Sequence, residues 1–200
     1  WHPAQPGQNR LLLNDGSGTF TDATVAQLPA GAEFTTSVTL GDIDGDGDLD
    51  LVIGNGSYEY GWICYYPQQN RLFLNDGTGT YTEATATSLP AITDVTRALV
   101  LGDVDGDGDL DLVVGNDYQY GLGSISRLYL NGGTGTFLDV TAAQMPGIGR
   151  TTSLALGDID GDGDLDLAMT GYYWKLVFNS GTGSFTPPPP PVDNMPGGGA

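Results

Sequence analysis

The sequence predicts an all-β chain built from propeller-type blades of four antiparallel strands, about 3.5 blades in 200 residues. Two interleaved repeats and the composition carry this expectation. The first repeat reads GDIDGDGDLDLVIGN from Gly41, GDVDGDGDLDLVVGN from Gly102 and GDIDGDGDLDLAMTG from Gly157. The second reads NRLLLNDGSGTFT from Asn9, NRLFLNDGTGTYT from Asn70, SRLYLNGGTGTFL from Ser126 and, more loosely, WKLVFNSGTGSFT from Trp174. Self-similarity at a spacing of 55 to 61 residues is the signature of stacked structural units. The 32 glycines, the frequent Thr, Asn and Tyr and the near absence of Lys favour strands and tight turns over helices.

Each unit resolves into four strands. Before the Asp-rich loop, apolar residues alternate at Val38 and Leu40, at Leu99 and Leu101, and at Leu154 and Leu156, the period of a half-buried strand. After the loop, Leu49, Leu51 and Ile53 are expected on one face, with Asp50 and Val52 on the other. The RLxLN run supplies the third strand, and NDGTGT places Asn, Asp and Gly where a hairpin needs positive φ. A fourth strand is expected at Phe20, Tyr81, Phe137 and Phe185. The blade region, residues 1–186, thus divides into a half blade at 9–24 and blades at about 36–85, 96–141 and 150–186. Propellers close with about 4 to 8 blades, so two unpaired faces are expected. Residues 187–200 form a Pro- and Gly-rich tail, with Pro187 to Pro191 a stiff polyproline II rod and Gly197 to Gly199 a flexible end. Such a tail is a linker, or a tether that docks on a neighbouring subunit or carries sugars.

Charge narrows the partners. Asp and Glu number 25 against 6 Lys and Arg, a formal net charge of −19, which argues against nucleic acid because binding it requires basic groups on phosphates. No apolar run approaches the ~20 residues of a membrane span. Cys64 is the single cysteine, so an internal disulfide is excluded and a buried or incidental thiol is expected. The chain opens at Trp1 with no charged-then-apolar leader, as expected of a processed protein or a piece of a longer one.

The Asp loops predict a metal. Asp42, Asp44, Asp46 and Asp50 stand at loop positions 1, 3, 5 and 9, with Gly47 at the sharp turn and Asp48 offering its backbone carbonyl. The second loop repeats this with Asp103, Asp105, Asp107, Asp109 and Asp111, and the third with Asp158, Asp160, Asp162, Asp164 and Asp166. An all-oxygen donor set suits Ca²⁺ better than Zn²⁺, which wants His or Cys, or Mg²⁺, which keeps its water. Two carboxylates ~5 Å apart repel by roughly 3 kcal/mol at an effective dielectric near 20, so these loops call for a counter-ion. An EF-hand is excluded, because it needs a Glu where Ile53, Val114 and Met169 stand.

At these residues the chain resembles the FG-GAP or VCBS repeat family, whose best-known members build the propeller head of integrin α chains. The resemblance covers about residues 9 to 186. It implies Ca²⁺ at the matching carboxylates, three sites in all, in a hairpin on one rim of each blade, and a secreted or cell-surface location. A family propeller usually has seven blades, a count this chain does not reach.

Catalysis finds little support: His2 is the sole histidine, no nucleophile has a partner placed to activate it, and hydrolysis would require an open metal position. Recognition is expected from aromatics between the second and third strands: Tyr58, Tyr60, Trp62, Tyr65 and Tyr66; Tyr118 and Tyr120; Tyr172, Tyr173 and Trp174. Two readings stand. One is a structural or adhesive extracellular module that joins copies of itself, or neighbouring blades of a longer chain, into a ring or filament. The other is a lectin-like module for carbohydrate or a cell-surface protein. Asn55-Gly56-Ser57 is a candidate glycosylation sequon.

Overall fold

Alternating apolar residues, punctuated by Gly-rich turns, lay down short antiparallel strands throughout the computed structural model, which describes residues 6–59, 64–117, 125–171 and 174–188. In chain order these begin with β1 (Leu12–Asn14), β2 (Phe20–Asp22), β3 (Thr35–Gly41), β4 (Asp50–Asn55), β5 (Ser57–Glu59) and β6 (Cys64–Tyr66). There follow β7 (Gln68–Gln69), β8 (Arg71–Asn75), β9 (Tyr81–Glu83), β10 (Thr93–Asp94), β11 (Thr96–Gly102) and β12 (Asp111–Asn116). The last are β13 (Arg127–Asn131), β14 (Phe137–Asp139), β15 (Thr151–Gly157), β16 (Asp166–Gly171) and β17 (Lys175–Val177). Two sheets have four strands, in the orders β3-β4-β8-β9 and β11-β12-β13-β14; a third runs β15-β16-β17, and β1-β2 form a separate pair. These are the all-β, propeller-type blades expected. A fourth strand at Phe185 does not form: a single bridge between Phe178 and Thr186 takes its place.

The sheets stack face to face, and two cores lie between them. The first joins Ile43, Val52 and Leu72 to Leu112, Val114, Tyr129 and Phe137 of the next sheet. The second joins Val104, Val113 and Leu128 to Leu167, Met169 and Val177. Val52 and Ile53 are therefore both buried, as are Val113 and Val114. The two faces expected to carry Leu51 and Ile53 on one side and Asp50 and Val52 on the other thus both hold buried side chains, as do both faces of β12. Glycine permits the close stacking. A Cβ on Gly41 would lie 2.7 Å from Leu110 and 2.8 Å from Leu101, and one on Gly102 would lie 2.7 Å from Leu156.

Three one-turn helices follow the outer strands, α1 (Thr24–Gln27), α2 (Thr85–Ser88) and α3 (Thr141–Gln144), where the sequence reading placed none. Their first residue explains them. Each Thr hydroxyl accepts a backbone N–H from the strand paired with the outer one, from Leu72 of β8 and Leu128 of β13 at 3.0 Å and from Leu11 just before β1 at 2.9 Å, leaving the chain to curl for one turn. The tail from residue 189, with Pro189 to Pro191 and Gly197 to Gly199, lies outside the described residues.

Arginine serves inside the stack. Buried Asp117 accepts from Arg97 at 2.9 Å and from Arg150 at 2.6 Å, tying β11 and β12 to the approach of β15. Asp117→Ala should lower unfolding free energy by about 2 to 3 kcal/mol, since it strips two half-buried guanidinium groups of their partner. Arg10→Ala, which breaks the exposed pair with Asp22, should leave stability unchanged within error, and urea denaturation of both variants checks the contrast.

Candidate metal centres

Each inner hairpin turns through its Asp-rich loop, and the loop's own backbone sets the first carboxylate. Asp42 accepts N–H bonds from Gly45 at 2.9 Å and from Gly47 at 3.0 Å. Both glycines have positive φ, 79° and 94°, which side-chain-bearing residues rarely adopt. Asp103 and Asp158 hold the equivalent bonds in their loops.

The ninth loop position is the deepest. Asp50, Asp111 and Asp166 have no exposed surface. Each takes one N–H from its own hairpin and one from the asparagine that ends the third strand of its sheet or, in the third sheet, follows it. The pairs are Ile43 and Asn75, both at 2.8 Å, Val104 and Asn131, both at 2.9 Å, and Ile159 and Asn179, at 2.8 and 2.9 Å. In each loop three carboxylates converge: Asp42, Asp44 and Asp50, then Asp103, Asp105 and Asp111, then Asp158, Asp160 and Asp166, with one ligand atom from each within 4.8 Å of the others.

Of the remaining sequence-predicted ligands, Asp46, Asp107 and Asp162 are not in these trios, and each spends one oxygen on the N–H of Asp48, Asp109 or Asp164. The side chains of Asp48, Asp109 and Asp164 lean over the positive-φ glycines Gly77, Gly133 and Gly181 of the outer turn. The asparagines Asn75, Asn131 and Asn179 were read from sequence only as turn formers. Their recurrence after every RLxL-type run was the available signal.

Burial and mutual repulsion disfavour the charged form of these acids. Burial pushes Asp111 from 3.8 up to about 6 against the pull of its two N–H bonds. Asp50 is raised by burial, Asp44 by burial and then by the charge of Asp46, and Asp105 and Asp160 chiefly by burial. Asp44 Oδ1 is buried with no hydrogen-bond partner. No Lys or Arg forms an ion pair with any trio among the described residues. An orphaned buried oxygen beside two further carboxylates fits a hard divalent cation in the first trio, and the other two trios offer the same all-carboxylate donor set.

The three centres are not equal. Gly135 of the second sheet packs against Asp44, and Gly183 of the third against Asp105. Among the described residues no further sheet lies over the third loop, and Asp158 and Asp160 are exposed where their counterparts are half-buried.

Asn55, the sequon residue, is fully buried; its amide nitrogen donates to the Gln69 carbonyl at 3.1 Å and its amide oxygen accepts from Thr35 at 3.1 Å. The folded chain has no room for a glycan there, which corrects that expectation. Among the candidate aromatics, Tyr66 stacks tilted on Phe34, centroids 5.4 Å apart, and Trp174 is 76% exposed. Of Tyr58 and Tyr65 the backbone is described, in β5 and β6; Tyr60, Trp62, Tyr118, Tyr120, Tyr172 and Tyr173 lie outside the described residues, as does His2.

Comparison with known proteins agrees with the repeat pattern. The FG-GAP-like repeat profile matches residues 4–53, 54–114 and 105–169. Cartilage acidic protein 1 of Xenopus tropicalis is 30% identical over 172 residues, covering 82% of this chain and 25% of that protein. The Homo sapiens protein of the same name is 27% identical, covering 82% and 24%. The chain therefore spans about a quarter of the length of the curated relatives it matches. A solved structure of an Agrocybe aegerita lectin, described as specifically recognising non-reducing terminal N-acetylglucosamine, aligns over 89% of this chain and 44% of that one, with 20% identity and a TM-score of 0.47.

Two outcomes follow. Without metal, the raised pKa of Asp111 means the folded chain holds a proton that the unfolded chain releases between about pH 4 and 6. That contribution to stability is full below about pH 4 and is lost as pH rises through 6, whereas the lowered acids Asp76 and Glu83 act below about pH 4. The melting temperature of the chelated chain should thus fall from about pH 4 to 6.5, and that of the metal-loaded chain should rise; a flat chelated profile refutes the buried-charge account. In calorimetric titration, Asp50→Asn and Asp111→Asn should each remove a tighter site, and Asp166→Asn the weakest one.

Proposed function

Since this chain belongs to the FG-GAP-like repeat family, we propose that it is a non-catalytic, calcium-binding extracellular module whose ions hold its inner hairpins in shape for a structural or adhesive task. The convergence of three carboxylates in each hairpin, with no cationic side chain beside them among the described residues, carries this reading. Asp42, Asp44 and Asp50 would hold the first ion, Asp103, Asp105 and Asp111 the second, and Asp158, Asp160 and Asp166 the third. Ca²⁺ supplies charge compensation and flexible oxygen coordination, and no bond changes in the process. Location outside cells suits such sites, because extracellular calcium modules work with dissociation constants of about 0.1 to 1 mM. Among the described residues no helix is long and apolar enough to cross a membrane. Self-association through unlike blade ends accompanies the structural role, supported by apolar residues left exposed at both ends, Val38 and Leu40 at one and Ile159 at the other.

A second reading, a carbohydrate- or protein-binding module, is favoured by Trp174. An indole 76% exposed beside the third sheet offers a stacking surface that packing does not consume.

Calcium should raise the melting temperature and chelation should reverse it. At a free concentration 100 times the dissociation constant, each site adds about 2.7 kcal/mol. Differential scanning calorimetry with Ca²⁺, Mg²⁺ and chelator decides the matter, and an unchanged melting temperature on stripping calcium refutes the proposal.

A further inference from the structure

Lys175, the one lysine of the chain, stands where the two preceding sheets place an arginine. Met169 lies opposite it in the register that sets Ile53 opposite Arg71 and Val114 opposite Arg127. Each of those arginines is held between two carboxylates. Arg71 pairs with Glu33 and Glu83, both at 2.7 Å, and Arg127 pairs with Asp94, at 3.1 Å through Nη2, and with Asp139 at 3.7 Å.

The third sheet lacks both acids. Two residues before the aligned Thr35, Thr96 and Thr151 stand Glu33, Asp94 and Gly149. One residue after the aligned Thr82, Leu138 and Thr186 stand Glu83, Asp139 and Pro187. Lys175 is exposed, and its ammonium makes no ion pair or hydrogen bond among the described residues.

A cavity of about 140 Å³ opens beside the first vacant position. Gly149, Arg150, Thr151 and Lys175 line it, together with the apolar Ile148 and Met169. Lys175 shares its face of the sheet with Met169, which packs against the second sheet, so the cavity belongs to the covered side of the third sheet and not to the end of the stack. Arg150 shares the single carboxylate of Asp117 with Arg97, which adds a second cationic wall.

We infer that this cavity is a carboxylate-binding site that receives one Glu or Asp side chain of a peptide from outside residues 1–200. The two filled counterparts define the occupant, since Glu33 and Asp94 show that a side-chain carboxylate satisfies the cation at this position. A single acid is accepted, whereas a run of them is held off by the chain's net charge of −19. Neither a loop aspartate nor Trp174 lines the cavity, so the site is separate from both features on which the functional reading rests.

The probe is the blocked tripeptide Ac-Gly-Glu-Gly-NH2, titrated into the full chain labelled with carbon-13 lysine, in calcium buffer. At physiological ionic strength charges beyond about 8 Å are screened, so the local site is read. A saturable shift of the Lys175 Cε resonance is expected, and the Gln tripeptide should bind about tenfold or more weakly. Lys175→Met should weaken binding to the same extent, followed by saturation transfer to the peptide, without lowering the melting temperature, because the side chain is exposed. Gly149→Asp, which restores the carboxylate that Asp94 supplies, should shift Lys175 Cε with no peptide present and block the tripeptide; if that variant melts early, Lys175→Met alone decides. No shift, equal binding of the Gln tripeptide or undiminished binding to Lys175→Met overturns the inference. So does tighter binding of galacturonic acid, which assigns the cavity to sugar acids, or affinity that appears only once residues 189–200 are deleted, which assigns it to Asp193 of the tail.

Discussion

One buried carboxylate per sheet organises this chain. Asp50, Asp111 and Asp166 each accept an N–H from the inner hairpin and another from the asparagine at or just after the end of the third strand, so a single side chain ties the loop to that segment. Two N–H bonds do not neutralise a fully buried charge lying within 4.8 Å of two more. The interaction that builds the blade therefore also builds the demand for a cation, and on the proposed reading folding and metal binding would be one equilibrium.

Blades are joined by contacts that recur with the repeat. Asn131 and Asn179 reach back to the Ile43 and Val104 carbonyls of the preceding loop, at 2.7 and 2.6 Å. Leucines of one sheet settle on glycines of the sheet before it. Because each blade completes its neighbour, identical sequence has unlike surroundings at the ends of the stack. Ile43 and Val104 are 1% exposed, and their counterpart Ile159 is 45% exposed.

Four of the five arginines are committed inside the molecule. Arg71 bridges Glu33 and Glu83, Arg127 bridges Asp94 and Asp139, and Arg97 and Arg150 share Asp117. With so few cations and these engaged, the field outside the protein is acidic, which draws divalent cations in and holds polyanions off.

Sequence alone determined the strand-loop-strand unit, its repetition and the carboxylates of each loop, because hydrophobic period, turn glycines and ligand spacing are local properties written in consecutive residues. It also determined that the chain is all-β, though not the single helical turns after β2, β9 and β14, which depend on a threonine hydroxyl finding the segment beside the outer strand. Only the tertiary structure decided which loop aspartates converge, which turn asparagine bonds the buried one, that both faces of β4 and β12 are covered, and that Asn55 is out of reach of modification. These depend on neighbours tens of residues away along the chain. Three nearly identical loops become three different sites because a blade's surroundings are set by whether another blade lies against it, and no residue within the repeat encodes that.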